Sequence, residues 1–200
     1  MLVTPQLLYS SNPRIRTMVV NSSPGVRAVE PYSASLIVCN ISTAINYAMD
    51  YIPGFREVTQ RQDFNVNIHE VADIETFLRE TQAYILPRLS KVYAATIPLG
   101  TPTAGILRTD TFIDKSRMQD VACPEKLLST VLHEAALITF FANTPVQTLQ
   151  KMSSEDIELE VFKTHIQALE AIMHLQSSTY SQDRLQEVLE EERRFAASWA

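Results

Sequence analysis

Two dipeptides in this 200-residue chain carry the residue types of acid-base or metal chemistry, His69-Glu70 and His133-Glu134. The second lies inside "STVLHEAALITFFAN", residues 129–143, an otherwise apolar stretch. A helical zinc-protease motif needs His-Glu-x-x-His, because residues four apart turn both imidazoles to one helix face while the Glu serves as general base. Leu137 stands where the second imidazole would be. At about 100° per residue, Leu128, Val131, Ala135, Ile138 and Ala142 form one stripe, and His133 falls nearly opposite it beside Leu137 and Phe140. A helix that is apolar nearly all round belongs at the centre of a fold. His133 is therefore expected as a hydrogen-bonded core histidine, and Glu134 as a carboxylate at the helix edge in need of a partner. The competing expectation is a hydrolase or metal-dependent enzyme assembled from His69, Glu70, His133 and Glu134.

His165 and His174 offer no better metal site. Nine residues apart on a helix, they are rotated by about 180° from each other and cannot share one ion. His174 has Glu170 four residues back, the spacing of an ordinary surface contact. The chain has no Gly-rich phosphate loop, no Gly-x-Ser-x-Gly elbow and no Asp-x-Asp pair; each would place a nucleophile, phosphate or metal in a way these residues do not. No cofactor and no metal is expected, and the chain reads as a non-enzyme.

The elements that must position these residues are mostly helical, since glycine is scarce, four in all, and the periodic segments are long. A first helix runs through "ASLIVCNISTAINYAMDYI", with Ala34, Ile37, Val38, Ile41, Ala44, Ile45, Ala48, Met49 and Ile52 on one face and Pro53-Gly54 ending it. A second opens at Asp73 and continues to Pro98, kinked near Leu86 by Pro87. The third enters at Pro124 and leaves at Asn143. The fourth follows Ser153-Ser154, with Glu155 and Asp156 at the positive end of its dipole and a core stripe of Leu159, Phe162, Ile166, Leu169 and Met173. The last runs from about Ser181 almost to the C-terminus.

Strands are fewer. "DFNVNIH" alternates Phe64, Val66 and Ile68 against Asn65, Asn67 and His69, the period of a half-buried strand. "RIRTMVV" and "VRAVE", joined through "NSSPG", read as an N-terminal hairpin, and "GILRTDTFI" is a weaker strand. The expected fold is mainly α, a core of about five helices with a small N-terminal β-hairpin and one or two further short strands. Residues 1–30 form an arm, and residues 31–200 a single helical domain with a C-terminal docking helix at 181–199.

With 46% apolar residues, the chain can bury a sizeable core without metals or disulfides. Cys39 and Cys123 are far apart and form no Cys-x-x-Cys pair, so they read as buried thiols of a reducing compartment. The N-terminal residues lack the basic head and apolar run of a secretory leader, and 31–49 is too polar to span a bilayer. A cytoplasmic location with no membrane partner is expected.

The net charge of −6 is unevenly placed: residues 1–29 carry three arginines and no acid, and 127–200 carry five basic and eleven acidic residues. Arg14, Arg16 and Arg27 could meet the acidic C-terminal helix, with Glu187, Glu190 and Glu191, of the same or another subunit. There Leu185, Val188, Phe195 and Trp199 form a three/four stripe interrupted by Glu192, and Glu190 and Arg194 have the spacing of an ion pair. These features point to a non-enzymatic assembly or protein-interaction subunit that self-associates through its termini, docking on its own bundle being the simpler use of the last helix. The alternative is a nucleic-acid-associated structural subunit, coat- or nucleoprotein-like, in which the arm and Arg56, Arg61, Arg88 and Arg108 contact phosphates.

Overall fold

The computed structural model of the chain describes residues 16–19, 41–71, 74, 93–101, 105–114, 124–175, 178 and 180–198. Among these, the protein is mainly helical. Its elements follow the order β1 (Arg16–Val19), α1 (Ile41–Tyr51), α2 (Phe55–Gln60), β2 (Asn65–Val71), β3 (Ala94–Thr101), β4 (Gly105–Asp114), α3 (Pro124–Asn143), α4 (Val146–Leu149), α5 (Ser154–Met173) and α6 (Gln182–Ala197).

The helices start and stop where local chemistry directs. Gly54, at φ 82°, turns the chain between α1 and α2 in the left-handed region that a glycine enters freely. Ser153 caps α5 with its hydroxyl on the Asp156 N–H, while the Asp156 carboxylate accepts from the Ser153 N–H, a reciprocal capping box. Ser181 caps α6, and Pro124 opens α3, where its missing N–H would have had no partner in any case.

The strands form one sheet of order β1-β2-β4-β3. The central pair, β2 and β4, is parallel, with Asn67 opposite Asp110 and His69 opposite Phe112. β1 and β3 flank it in antiparallel pairing. The weak strand candidate is thus a central strand. Thr109 to Asp114 are all buried, so β4 is covered on both faces and lacks the alternation that marks a half-exposed strand.

One sequence expectation needs correction, and a second lies partly outside the described residues. Residues 94–98 belong to strand β3 and not to the end of a helix from Asp73; Ile74 is helical, and most of the stretch between lies outside the described residues. Pairing with β4 overrides helical propensity here, and Pro98 is tolerated because β3 stands last in the strand order, where a missing N–H interrupts no second ladder. Of the expected N-terminal hairpin, Arg16–Val19 pairs with β2, whereas "VRAVE" lies outside the described residues, as do the first helix before Ile41 and both cysteines.

The core lies between the helices and one face of the sheet. Leu128, Val131, Leu132, Ala135 and Ile138 of α3 pack with Ala44, Ala48 and Ile52 around α1, with Leu169 and Ile172 of α5, with Leu185 and Leu189 of α6, and with Val66, Ile68 and Ile113 of the strands. α3 touches α1, α2, α5, α6, β3 and β4. Its all-round apolar pattern thus corresponds to a central position. On α5 the buried positions are Val161, Phe162, His165, Ala168, Leu169 and Ile172, a stripe turned from the expected one so that His165 enters the core.

Candidate functional site

Successive residues on a helix point about 100° apart, and α3 uses this to send His133 and Glu134 to different neighbours. The Glu134 carboxylate faces the sheet, where the Thr96 hydroxyl donates to its Oε2 at 2.6 Å. Thr96 and Thr111 hydroxyls are themselves 2.6 Å apart. Because Thr96 spends its only proton on Glu134, Thr111 must donate to Thr96. Burial pushes the Glu134 carboxyl above its ordinary value, against the charge of His133 and the Thr96 hydrogen bond.

His133 faces α5. Its Nε2 lies 3.3 Å from Glu158 Oε2, with 18% and 21% of the two side chains exposed. Its ring rests 4.8 Å from that of Phe162 and 5.4 Å, edge to face, from that of His165. Burial opposes the imidazolium, but the hydrogen bond to Glu158 and the charges of Glu134, Glu158 and Glu192 outweigh it and raise the group above its usual range.

Where α3, α5 and α6 meet, four more polar side chains form a directed chain. Ser129 Oγ donates to Glu192 Oε1 at 2.8 Å, and Lys126 Nζ donates to the same oxygen at 2.9 Å. Ser129 Oγ is also 3.0 Å from His165 Nε2. Serine has one proton and a carboxylate only accepts, so His165 donates through Nε2 and its Nδ1 is a bare acceptor, with no hydrogen-bond partner among the described residues. Burial, reinforced by the charge of His133, lowers the His165 imidazole to about 3. Lys126 is held above its ordinary value despite burial by Glu192 and Glu191. Burial likewise acts to raise Glu192, and His165, Lys126 and Ser129 bring it below its ordinary value.

This direction is the reverse of the one that activates a nucleophile. A catalytic serine gives its proton toward the imidazole, which a carboxylate orients through the other nitrogen. Here the serine gives its proton to the carboxylate, the second nitrogen is bare, and Ser129 is 1% exposed. The geometry joins helices.

The remaining candidates lie elsewhere. His69 stacks on Phe112 at 4.8 Å on the sheet face opposite Val66 and Ile68, and its Nε2 is 3.6 Å from Asp110 Oδ1. Asp110 also receives Asn67 Nδ2 at 2.8 Å and pairs with Arg108 at 3.1 Å. The alternation of a half-buried strand holds from Phe64 to Ile68, with Asn65 exposed and Asn67 partly exposed, and departs from expectation at His69, which is 1% exposed. Glu70 lies on β2, Arg16 on β1, and Arg14, Arg27 and Trp199 fall outside the described residues. Among the described residues no three His, Cys, Asp or Glu side chains are placed to hold a metal ion.

α6 docks on its own bundle through Leu185, Val188 and Leu189. Glu187 pairs with Arg184 at 2.7 Å, Glu191 with Lys126 at 3.3 Å, and the Glu190 carboxylate accepts from Gln186. Arg194 reaches the Glu190 carbonyl and not its carboxylate, so the expected side-chain pair takes another form. Glu170 pairs with Arg193 of α6, leaving His174 as the exposed C-cap of α5. Phe195 is 49% exposed, with its ring 5.5 Å from Phe162. Arg56 pairs with Asp50 and Arg61 with Asp63; with Arg108 on Asp110, three of the four suggested phosphate contacts already face an acid.

Lys126, Ser129, His165 and Glu192 were missed as a set. One sign of them was legible, the acid that interrupts the apolar stripe of α6 at Glu192. No protein-family model, curated protein or solved structure matches the chain. No described helix is long and apolar enough to cross a membrane.

Proposed function

We propose that the protein is a non-enzymatic assembly subunit that associates with further copies of itself through its termini. The observation that carries this reading is the outer face of α6. Its apolar side is used within the subunit, yet Asp183, Glu187 and Glu190 stay exposed, with Glu191 at the edge of this face where it also reaches Lys126, beside the half-exposed Phe195. The occupant is the cationic stretch of a second copy, residues 1–29, which holds Arg14, Arg16 and Arg27 and no acid. Complementary charge steers such an encounter and apolar contact sustains it. The use of His133, Glu134, Ser129 and His165 as links between elements supports the same reading over a reaction centre.

Light scattering across a salt series tests it. β1 is part of the sheet, so the arm is altered by charge reversal and not by deletion. Association should weaken as salt rises, since exposed charges are screened over about 8 Å at physiological ionic strength. The Arg14→Glu/Arg27→Glu variant and the Glu187→Lys/Glu190→Lys variant should each associate less, and a mixture of the two should associate again. A wild-type chain that stays monomeric at every salt and concentration sinks the reading. Nucleic acid retained through purification, seen in the ratio of absorbance at 260 and 280 nm, would favour the nucleic-acid-associated reading instead.

A further inference from the structure

We propose that the seam between α3, α5 and α6 is a proton-operated latch, in which the charge on His133 sets how firmly the C-terminal half of α6 is held. This inference is independent of self-association and concerns the single subunit.

The first half of α6 has its own anchors. The Ser181 N–H donates to Glu125 Oε1 at 2.9 Å, and Leu185, Val188 and Leu189 are buried. Beyond Leu189 the contacts into the buried part of the bundle are of two kinds, the carboxylates of Glu191 and Glu192 on Lys126 and Ser129, and the Phe195 ring on Phe162, while Arg193 pairs with Glu170 of α5 at the exposed rim. Both lines lead back to His133. Phe162 is the ring on which His133 rests, and the Glu192–Ser129 link continues to His165, which His133 touches edge to face.

Charge is the other half of the argument. The titratable and charged groups around this seam, among the described residues, are Lys126 and His133 from α3, with Glu134 beside them but turned to the sheet, Glu158, His165 and Glu170 from α5, Glu191, Glu192 and Arg193 from α6, and Tyr93, whose ring lies under Lys126. His165 stays neutral through the physiological range. Arg193 is engaged by Glu170 at the exposed rim, so while His133 carries its proton two described cations, His133 and Lys126, stand among the inner carboxylates. Once it is lost, Lys126 faces them alone, Glu158 loses its cation, and α6 presents two carboxylates to a seam with a larger negative excess. In a partly buried seam this repulsion is weakly screened. Solvent can deliver and remove the proton, because His133 and Glu158 are each about one-fifth exposed.

Hydrogen exchange of the full chain from about pH 6 to about pH 9, upward from the ordinary histidine value of about 6.5, tests the latch. After correction for intrinsic exchange rates, peptides from the second half of α6 should open several-fold more often at the alkaline end, while those from α1 should not change. His133→Gln and Glu158→Gln should each flatten this dependence. His174→Gln, at the exposed cap of α5, should leave it intact. Opening that is constant with pH, or that keeps its pH dependence in His133→Gln, overturns the proposal. Should neither seam variant fold, the wild-type chain decides: with four histidines, their ring-proton NMR titrations can be followed individually. The absence of any histidine titrating in step with the opening of α6 overturns it equally.

Discussion

Glu134 Oε2 of α3 lies 2.6 Å from the Thr96 hydroxyl of β3, so the central helix is tied to the sheet through a carboxylate that is 7% exposed. The neighbouring His133 has no part in that tie; it reaches Glu158 on α5. A dipeptide that resembles half of a metal motif is thus two separate joints. Their different surroundings give different responses to substitution.

Glu134→Gln should be at least as stable as the parent at neutral pH, because the amide oxygen still accepts from Thr96 and no charge is buried. The sign follows from the raised carboxyl of the folded protein. Between its ordinary 4.5 and the higher folded value, the folded state binds the extra proton, so stability falls as pH rises through that window. Urea unfolding across the window should show this slope in the parent and a reduced one in Glu134→Gln. Thr96→Val should instead lose about 1 to 3 kcal/mol, since it leaves the Glu134 and Thr111 oxygens without their hydroxyl partner.

Lys126→Met should cost roughly 2 to 4 kcal/mol, somewhat below the loss for a fully buried pair, because it strands Glu192, whose side chain is 12% exposed. Ser129→Ala should cost about 1 to 2 kcal/mol, through the loss of one charge-assisted hydrogen bond and of the acceptor for His165. The double variant Lys126→Met/Glu192→Leu should recover much of the first loss. Equality of the double variant with the sum of two independent losses, measured by urea unfolding, would count against a directly coupled pair.

Gly100→Ala should destabilise by about 3 kcal/mol, the upper end of the cost of overpacking. A Cβ at this position would meet the Gly105 carbonyl oxygen at 2.0 Å and the Ile106 Cα at 2.7 Å, both backbone atoms of β4 that cannot swing aside. Gly105→Ala meets nothing within 4 Å but sits at φ +81°, so its cost should be about 1 kcal/mol, from conformation alone. Thermal unfolding of the two variants should rank them in that order.

The sequence by itself determined the three long helices from Pro124 onward. Their caps at Ser153 and Ser181, the opening proline and the three/four spacing of apolar residues are local signals, and local signals specify helices whose hydrogen bonds are local. The same pattern placed α3 at the centre, because an element apolar on every side has no face to give to solvent. The sheet was a matter for tertiary structure. β4 is covered on both faces and β3 contains a proline, so neither displays the alternation that marks a half-exposed strand, and their hydrogen bonds join residues distant along the chain. The joint of Lys126, Ser129, His165 and Glu192 was undecidable for a related reason. Residues 36 to 66 positions apart come within hydrogen-bond range only after α3, α5 and α6 have packed. The direction of that hydrogen-bond chain, which turns a serine and a histidine into a structural link, follows from packing the Glu192 carboxylate, which only accepts, against the single hydroxyl proton of Ser129.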